Sequence, residues 1–330
     1  MPMMTRELLK LENTGHAGIN SLFSKAHSMD WDLDRDVDWD IEISPDDPCI
    51  DPEWASFGRT ETYGGLPEPV RNAMARRELA RTINVLQVGE SVAQDVCAKL
   101  ALVCEKEDHR NHAVAQAMDE ARHHMAYARF LALMGEEPEP IDGPTEAMFD
   151  SLLVSDDPVT LVMGEQFFLE SMAMPLFERL VDHSINPLLK DIARFIKRDE
   201  SRHVGFGVLF IAEHVKSLSE DDRLSFASSW MPRIMQVLDG SPGPRVAERM
   251  ARRLGALGVD DPVGKAERML EEQLKLNANE RNEATSGRRV PHLLASCRRA
   301  GLLDPALLEP LGLAEHPMID GARHGALPTA

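Results

Sequence analysis

The chain has 330 residues, 43% of them hydrophobic, which is enough to bury a sizeable core in one large domain or two modest ones. Its 36 Lys and Arg against 55 Asp and Glu leave a formal charge of −19, which repels phosphate backbones and excludes nucleic acid or an anionic membrane surface as a natural partner. No apolar run approaches the roughly 20 residues that span a bilayer, the start MPMMTRELLKLENTG lacks the apolar core of a secretory signal, and the cysteines at 49, 97, 104 and 297 form no C-x-x-C pair; a reducing, cytoplasmic setting is expected.

Residues 1–66 read as an extended acidic arm. Within it, DWDLDRDVDWDIE (30–42) carries an acid at every even position and mostly apolar residues, Trp31 and Trp39 among them, at the odd ones. That period of two predicts a segment laid with its apolar side on the main body. A calcium loop beginning at Asp32 is a poor account, because Val37 stands where Gly is needed and Ile43 where Glu is needed. The turn-rich SPDDPCIDPEW and ETYGGLPEP then lead to a helix start near residue 68.

From there EPVRNAMARRELARTINVLQVGESVAQDVCAKLALVCE has no Pro after Pro69 and a single Gly, at 89, predicting roughly ten turns of helix. After EKEDHRN, a second helix through HAVAQAMDEARHHMAYARFLALMG stops near Gly135, and the two form an antiparallel hairpin. A short helix over about 144–153 precedes a second pair: one helix over about 157–183, kinked but not ended by Pro175, and another over about 187–216 after the break HSINP. Helical segments continue to about residue 312, broken at DGSPGP, GVDDP and SGRRVP, and the end HPMIDGARHGALPTA reads as a loose tail. The expected organisation is thus an arm (1–66), a helical bundle (67–240), additional C-terminal helices (241–312) and a tail (313–330). With no parallel-sheet alternation, the class is all-α.

Only two glutamates are followed by histidine three residues on: Glu120 with His123 in DEARHH, and Glu200 with His203 in DESRHV. That spacing puts carboxylate and imidazole on one helix face. The helix preceding each pair carries Gly-Glu, with Glu90 standing 30 residues before Glu120 and Glu165 standing 35 before Glu200. One Glu from each of two helices plus Glu-x-x-His from each of two others is the pattern of a carboxylate-bridged dimetal site. Oxygen and imidazole ligands suit Fe or Mn, and four buried carboxylates make electrostatic sense when two cations neutralise them. The candidate ligands are Glu90, Glu120, His123, Glu165, Glu200 and His203.

Glu170 competes with Glu165, since it too precedes Glu200 by 30 residues. On a regular α-helix five residues turn through about 140°, so both cannot face the metals. Glu165 is preferred for its Gly-Glu echo, with Glu170 as a supporting or substitute carboxylate. Asp119 and Asp199 precede the ligand glutamates in both copies and are candidates to hold the far side of the ligand histidines, across helices; alternatively they are surface acids paired with Arg122 and Arg202. His124 should point away from the site. Cys97 and Cys104 share a helix face with Glu90 and read as buried core thiols.

These residues resemble the ferritin-like superfamily over roughly residues 80–215, in particular the ribonucleotide reductase small subunit, the ligand-binding oxidases and the di-iron monooxygenases. The segment GESVAQDV and the spacing from Glu165 through Pro187 to RDESRH are similar to the ligand-binding oxidases, which favours Glu165. Their tyrosine–valine crosslink is not expected, because Val92 matches but Thr160 stands at the tyrosine position. In the reductase subunit a radical tyrosine follows the first ligand histidine by four residues, which is Tyr127 here; a redox role and simple core filling are the two readings. The end of the chain lacks that subunit's radical-transfer tyrosine, and its first ligand is usually Asp rather than Glu90. In arylamine N-oxygenases a further histidine stands four residues before the final glutamate, where this chain has Ile196.

The resemblance implies a ferritin-like four-helix bundle with two Fe ions, or Mn/Fe, that activates O2 to hydroxylate, desaturate or N-oxidise a small organic substrate. Val92, Ala93, Phe167, Phe168 and Leu169 are the expected pocket lining. Electrons are expected from a separate reductase, as no G-x-G-x-x-G fingerprint is visible, and a homodimer is expected. The rival readings are radical generation for a ribonucleotide reductase, iron oxidation or storage, and a metal-free bundle.

Overall fold

The computed structural model describes residues 16–55, 57–136, 140–141, 143–238, 245–285 and 291–326. The expected break at DGSPGP, most of that at SGRRVP, and the first fifteen residues lie outside the described residues. Among the described residues there is no strand; one isolated bridge joins Ile50 and Ser184.

In chain order the principal helices are α1 (Ala17–Ser28), α2 (Glu68–Val103), α3 (Glu107–Met134), α4 (Gly143–Leu153), α5 (Pro158–Val162), a π-helical segment (Met163–Leu169), α6 (Glu170–His183), α7 (Pro187–Ser217), α8 (Glu220–Leu238), α9 (Arg245–Ala256), α10 (Pro262–Thr285), α11 (His292–Arg299) and α12 (Pro317–His324). Helices α2 and α3 form the first hairpin. Gly135 ends α3 in the left-handed region (φ 66°) that glycine tolerates without strain. The run α5–π–α6 pairs with α7 to form the second hairpin, and Pro175 is carried inside α6 without ending it. Asn186 caps α7, its side chain accepting from Leu189 N at 3.3 Å, with Pro187 at the first helical position.

The core is divided by a polar layer. On one side lie Val92, Val96, Leu161, Phe167, Phe206 and Ile211; on the other lie Leu79, Ile83, Tyr127, Phe130, Phe177 and Ile192. Each long helix passes from one apolar cluster to the other, and the candidate ligands fall where it crosses. Burial of the two clusters therefore fixes the height at which the polar side chains meet.

Two expectations about the ends are corrected. The arm is not extended throughout: its residues 17–28 form α1, packed on α3 and α7 through the fully buried Ile19. From Met29 onward the alternation holds. Trp31 and Val37 are buried, Trp39 and Ile41 are half-buried and the even-numbered acids are exposed, although the path is a series of turns rather than a strand. The tail is not loose at residues 317–324: Pro317 opens α12, whose Met318, Ile319 and Ala322 are buried beside α10 and α11. Helices α9 and α10 bring Met250, Leu254 and Met269 onto Phe57, Tyr63 and Leu66, roofing the end of the arm. No described helix is long and apolar enough to cross a membrane.

Candidate dimetal centre

Helix α2 supplies Glu90, α3 supplies Glu120 and His123, and α7 supplies Glu200 and His203, all buried. His123 Nδ1 lies 3.2 Å from Glu120 Oε2, 3.0 Å from Glu200 Oε1 and 3.4 Å from Glu90 Oε2. His203 Nδ1 lies 3.2 Å from Glu120 Oε1, 3.4 Å from Glu200 Oε2 and 3.9 Å from Glu170 Oε1. Each of Glu120 and Glu200 thus offers one oxygen to each imidazole, while Glu90 attends one and Glu170 the other. Two clusters result, Glu90/Glu120/His123/Glu200 and Glu120/Glu170/His203, each with ligand atoms within 4.8 Å of one another.

Glu165 and Glu170 are both buried, and the regular α-helical rotation behind the 140° argument does not hold between them. The reason is the π-helical segment: the Glu170 N–H donates to the Glu165 carbonyl, so the turn closes over five residues instead of four and the two side chains share a face. Packing supports this turn on both sides. A Cβ on Gly207 would lie 2.9 Å from the Gln166 carbonyl carbon and 3.0 Å from Phe167 N, and one on Gly164 would lie 2.3 Å from Leu152 Cδ2. Glycine at both places lets α7 and α4 close on the segment. The distances place Glu170 in the His203 cluster. Glu165 faces Glu120, Glu200 and His203 electrostatically, with its Oε2 lacking any hydrogen bond.

Behind the imidazoles, Asp119 and Asp199 back the ligand histidines and are not surface acids, although the arginine pairing expected of surface acids is also present. His123 Nε2 meets Asp199 Oδ2 at 3.2 Å and His203 Nε2 meets Asp119 Oδ2 at 3.2 Å, each acid serving the histidine of the other helix. Both acids are buried and also paired with arginine: Arg202 donates to Asp199 Oδ1 (2.8 Å) and Asp119 Oδ2 (2.9 Å), and Arg122 donates to Asp119. A carboxylate at Nε2 holds the proton there, so Nδ1 is the nitrogen turned to the ligand layer and the one that would give up its proton to a metal. Trp31 of the arm joins the same network, its indole N–H donating to Asp199 Oδ2 at 2.7 Å with its ring stacked on Phe195. The arm therefore seals the back of the His123 half.

The electrostatics fit bound cations. Burial, then the charge of Glu200, pushes the Glu90 carboxyl well above its usual range; burial followed by neighbouring carboxylates or their balance with His203 does the same to Glu165 and Glu170. Burial acts against ionisation of Glu120 too, but His203 and His123 outweigh it and hold that carboxyl low. Five inward atoms, Glu120 Oε2, His123 Nδ1, Glu165 Oε2, Glu170 Oε2 and Glu200 Oε1, are buried without a hydrogen bond. Orphaned buried polar atoms are costly, and five converging on one layer suit metal ligation.

Tyr127 is fully buried beside Glu90 and His123; burial, then the Glu90 charge, raises its phenol pKa, and its hydroxyl has no partner. His124 points away, its Nδ1 paired with the Gln87 carbonyl at 2.9 Å. Cys97 and Cys104 are buried free thiols, and Cys97 Sγ accepts from Gln166 Nε2 at 3.4 Å. Val92, Ala93 and Phe167 are buried and Phe168 and Leu169 half-buried. None of the five lines the described pocket of about 380 Å³, which opens near the far ends of α2 and α7 between Cys104, His109, Phe210 and Glu213. Sequence reasoning passed over Gln116 and Gln166. The signal for Gln116 was its place four residues before Glu120, a polar side chain on the ligand-bearing stripe of α3.

The family model described as p-aminobenzoate N-oxygenase AurF matches residues 12–254, which is most of the chain. The chain belongs to the AurF family. That places it among the ferritin-like di-iron proteins, as an oxidase or oxygenase of a small substrate whose cofactor is a pair of metal ions. Two solved structures of mutants of an R2-like ligand-binding oxidase, each with an aerobically reconstituted Mn/Fe cofactor, align with TM-scores of 0.47 and 14% identity. They cover 80% of this chain and 94% or 93% of their own. No curated protein matches. In this AurF-family chain Ile196 is a fully buried apolar residue of the core.

Proposed function

We propose that Glu90, Glu120, His123, Glu170, Glu200 and His203 hold the two metal ions, with Glu165 a further carboxylate on the His203 side, and that the chain oxygenates a small organic substrate with O2. One observation carries this reading: Glu120 and Glu200 each divide their two oxygens between the two imidazoles, which is how a carboxylate bridges two cations. The metal pair, when bound, supplies the reduction of dioxygen and the oxidation of substrate. The chain's own part is to set ligand geometry through Asp119 and Asp199, to exclude water with the apolar clusters on either side, and to stabilise the cation charge with four or five carboxylates.

The family description points to arylamines as the first substrate class to test and to oxidation at nitrogen. Ile196 leaves this chain without the additional histidine of arylamine N-oxygenases, so product analysis should separate N-oxidation from hydroxylation and desaturation. The proposal also takes electrons from a separate reductase and places a homodimer in the cytoplasm; the four free buried cysteines accord with a reducing setting. A second reading gives Tyr127 a redox role, favoured by its unpartnered hydroxyl beside Glu90. A tyrosyl radical signal after reaction with iron and O2, lost in Tyr127→Phe, is its test.

For the main reading, protein expressed with iron or manganese should hold about two metals per chain, consume O2 with reductant and an arylamine, and lose both properties in Glu120→Ala. Well under one metal per chain, with Glu120→Ala indistinguishable from wild type, would overturn it.

A further inference from the structure

Gln116 lies one turn before Glu120 on α3; the equivalent place before Glu200 on α7 is the apolar Ile196. It is 1% exposed. Its amide nitrogen donates to Glu120 Oε1 at 2.8 Å and to Glu170 Oε1 at 2.7 Å, and its amide oxygen accepts from Gln166 Nε2 at 3.3 Å. The orientation follows from chemistry: carboxylate oxygens that serve as metal ligands accept rather than donate, so the NH2 turns to both. With Gln166 donating from the π-helical segment, both amide N–H groups and the amide oxygen of Gln116 are engaged between that segment, α6 and α3.

The two oxygens that Gln116 bridges are the same two that lie nearest His203 Nδ1 from Glu120 and Glu170, at 3.2 and 3.9 Å. Glu170 is held by one oxygen while its other, Oε2, is buried with no partner and free to ligate. Glu165 stands on the same face, also buried with an unpartnered Oε2, but no hydrogen bond to Gln116 holds it. The π turn brings both carboxylates near the charges of Glu120, Glu200 and His203, but only Glu170 falls within the His203 cluster, and it is the one the amide engages.

We infer, on the basis of the dimetal reading above, that Gln116 is the positioning residue that selects Glu170 over Glu165 as the terminal carboxylate on the His203 side. Gln166 fixes the direction of its amide. In the absence of Gln116 the two carboxylates compete for the same cation, and the shared Glu120 loses the donor that registers it with the second site.

The test is Mn(II) binding to the full metal-free chain, followed by the EPR signal of free Mn(II), for wild type, Gln116→Leu, Glu165→Gln, Glu170→Gln and the two double variants. In wild type, Glu170→Gln should weaken the second Mn(II) tenfold to a hundredfold, on the order of a lost metal-orienting contact, while Glu165→Gln changes it little. In Gln116→Leu the second Mn(II) should bind about tenfold more weakly, and Glu165→Gln should now cost as much as Glu170→Gln. Unchanged first-site binding in every variant reports an intact fold. If Gln116→Leu does not fold, Gln116→Asn, which keeps the amide and shortens its reach, should show the same loss of selection. The inference is overturned if the Gln116 variants keep wild-type second-site affinity and Glu170 preference, or if Glu165→Gln is the damaging change in wild type; two Mn(II) ions still bind in either case. A wild-type chain that binds no Mn(II) instead removes the dimetal reading, and this inference with it.

Discussion

Four residues beyond its ligand histidine, one half of the centre has Tyr127 and the other has Gly207. The halves otherwise echo each other: Asp-Glu-x-Arg-His occurs in both, and each Asp supports the other half's histidine. Tyr127 fills the apolar cluster with its ring beside Glu90. At Gly207 the space is taken by backbone, because the π-helical segment presses to within 3 Å of where a Cβ would stand. The first half is packed by a side chain and offers one terminal carboxylate; the second is packed by a widened helical turn and offers two. A repeated motif thus marks where the proposed metal ligands are arranged alike, and its broken position marks where their surroundings differ.

The sharpest way to break this comparison is to remove the terminal carboxylates separately. Glu90→Ala and Glu170→Ala should each lower metal content from about two to about one per chain, and in each the ion lost should be the one on its own side; metal analysis after desalting reads this. Next, Asp199→Asn should weaken the ion bound by His123, and Asp119→Asn that bound by His203, by about tenfold to a hundredfold. Titration with Mn(II) would show a crossed pattern, and an uncrossed one would contradict the reciprocal support. Gly207→Ala should destabilise by about 1–3 kcal/mol as its methyl displaces the π-helical segment, with the loss in thermal melting accompanied by weaker binding on the His203 side. Tyr127→Phe, by contrast, removes a hydroxyl that has no partner and should leave stability unchanged or raise it by up to about 1 kcal/mol.

The smallest effect is on pH. His123 and His203 are held protonated well above their ordinary 6.5; burial opposes this, but Asp199, Glu120 and Glu200 around His123, and Glu120, Glu200 and Asp119 around His203, outweigh it. Glu90, Glu165 and Glu170 are also raised above 4.5. Such groups bind more protons folded than unfolded, so the metal-free chain should lose thermal stability as pH climbs above 6.5. Glu120 and Asp199, held low, contribute stability that is lost only at acid pH, outside that window. Added Mn(II) should stabilise more at pH 8 than at pH 6, since protons compete for the ligands.

The four bundle helices and the two Glu-x-x-His pairs were legible because both depend on local periodicity. What escaped was tertiary. The choice between Glu165 and Glu170 was argued with regular α-helical rotation, and no local pattern in MGEQFFL announces a five-residue turn; Gly164 and Gly207, distant in sequence, permit it together. Trp31 was read as apolar packing, yet its N–H completes the Asp199 network. The tail HPMIDGARHGALPTA was read as loose, yet Pro317 opens a helix that packs on α10 and α11, contacts no local pattern could show. Gln116 was hidden for a different reason: an amide becomes informative only once its two carboxylate partners are seen.

The central claim is that two ions share Glu120 and Glu200 between a His123 side and a His203 side. Anomalous scattering from a crystal of the manganese-loaded protein tests it most directly. Two peaks per chain are predicted, one contacted by Glu90 and His123, the other by Glu170 and His203, with Glu120 and Glu200 touching both. A single peak, or a second ion bound without His203 and without either shared glutamate, would contradict the account.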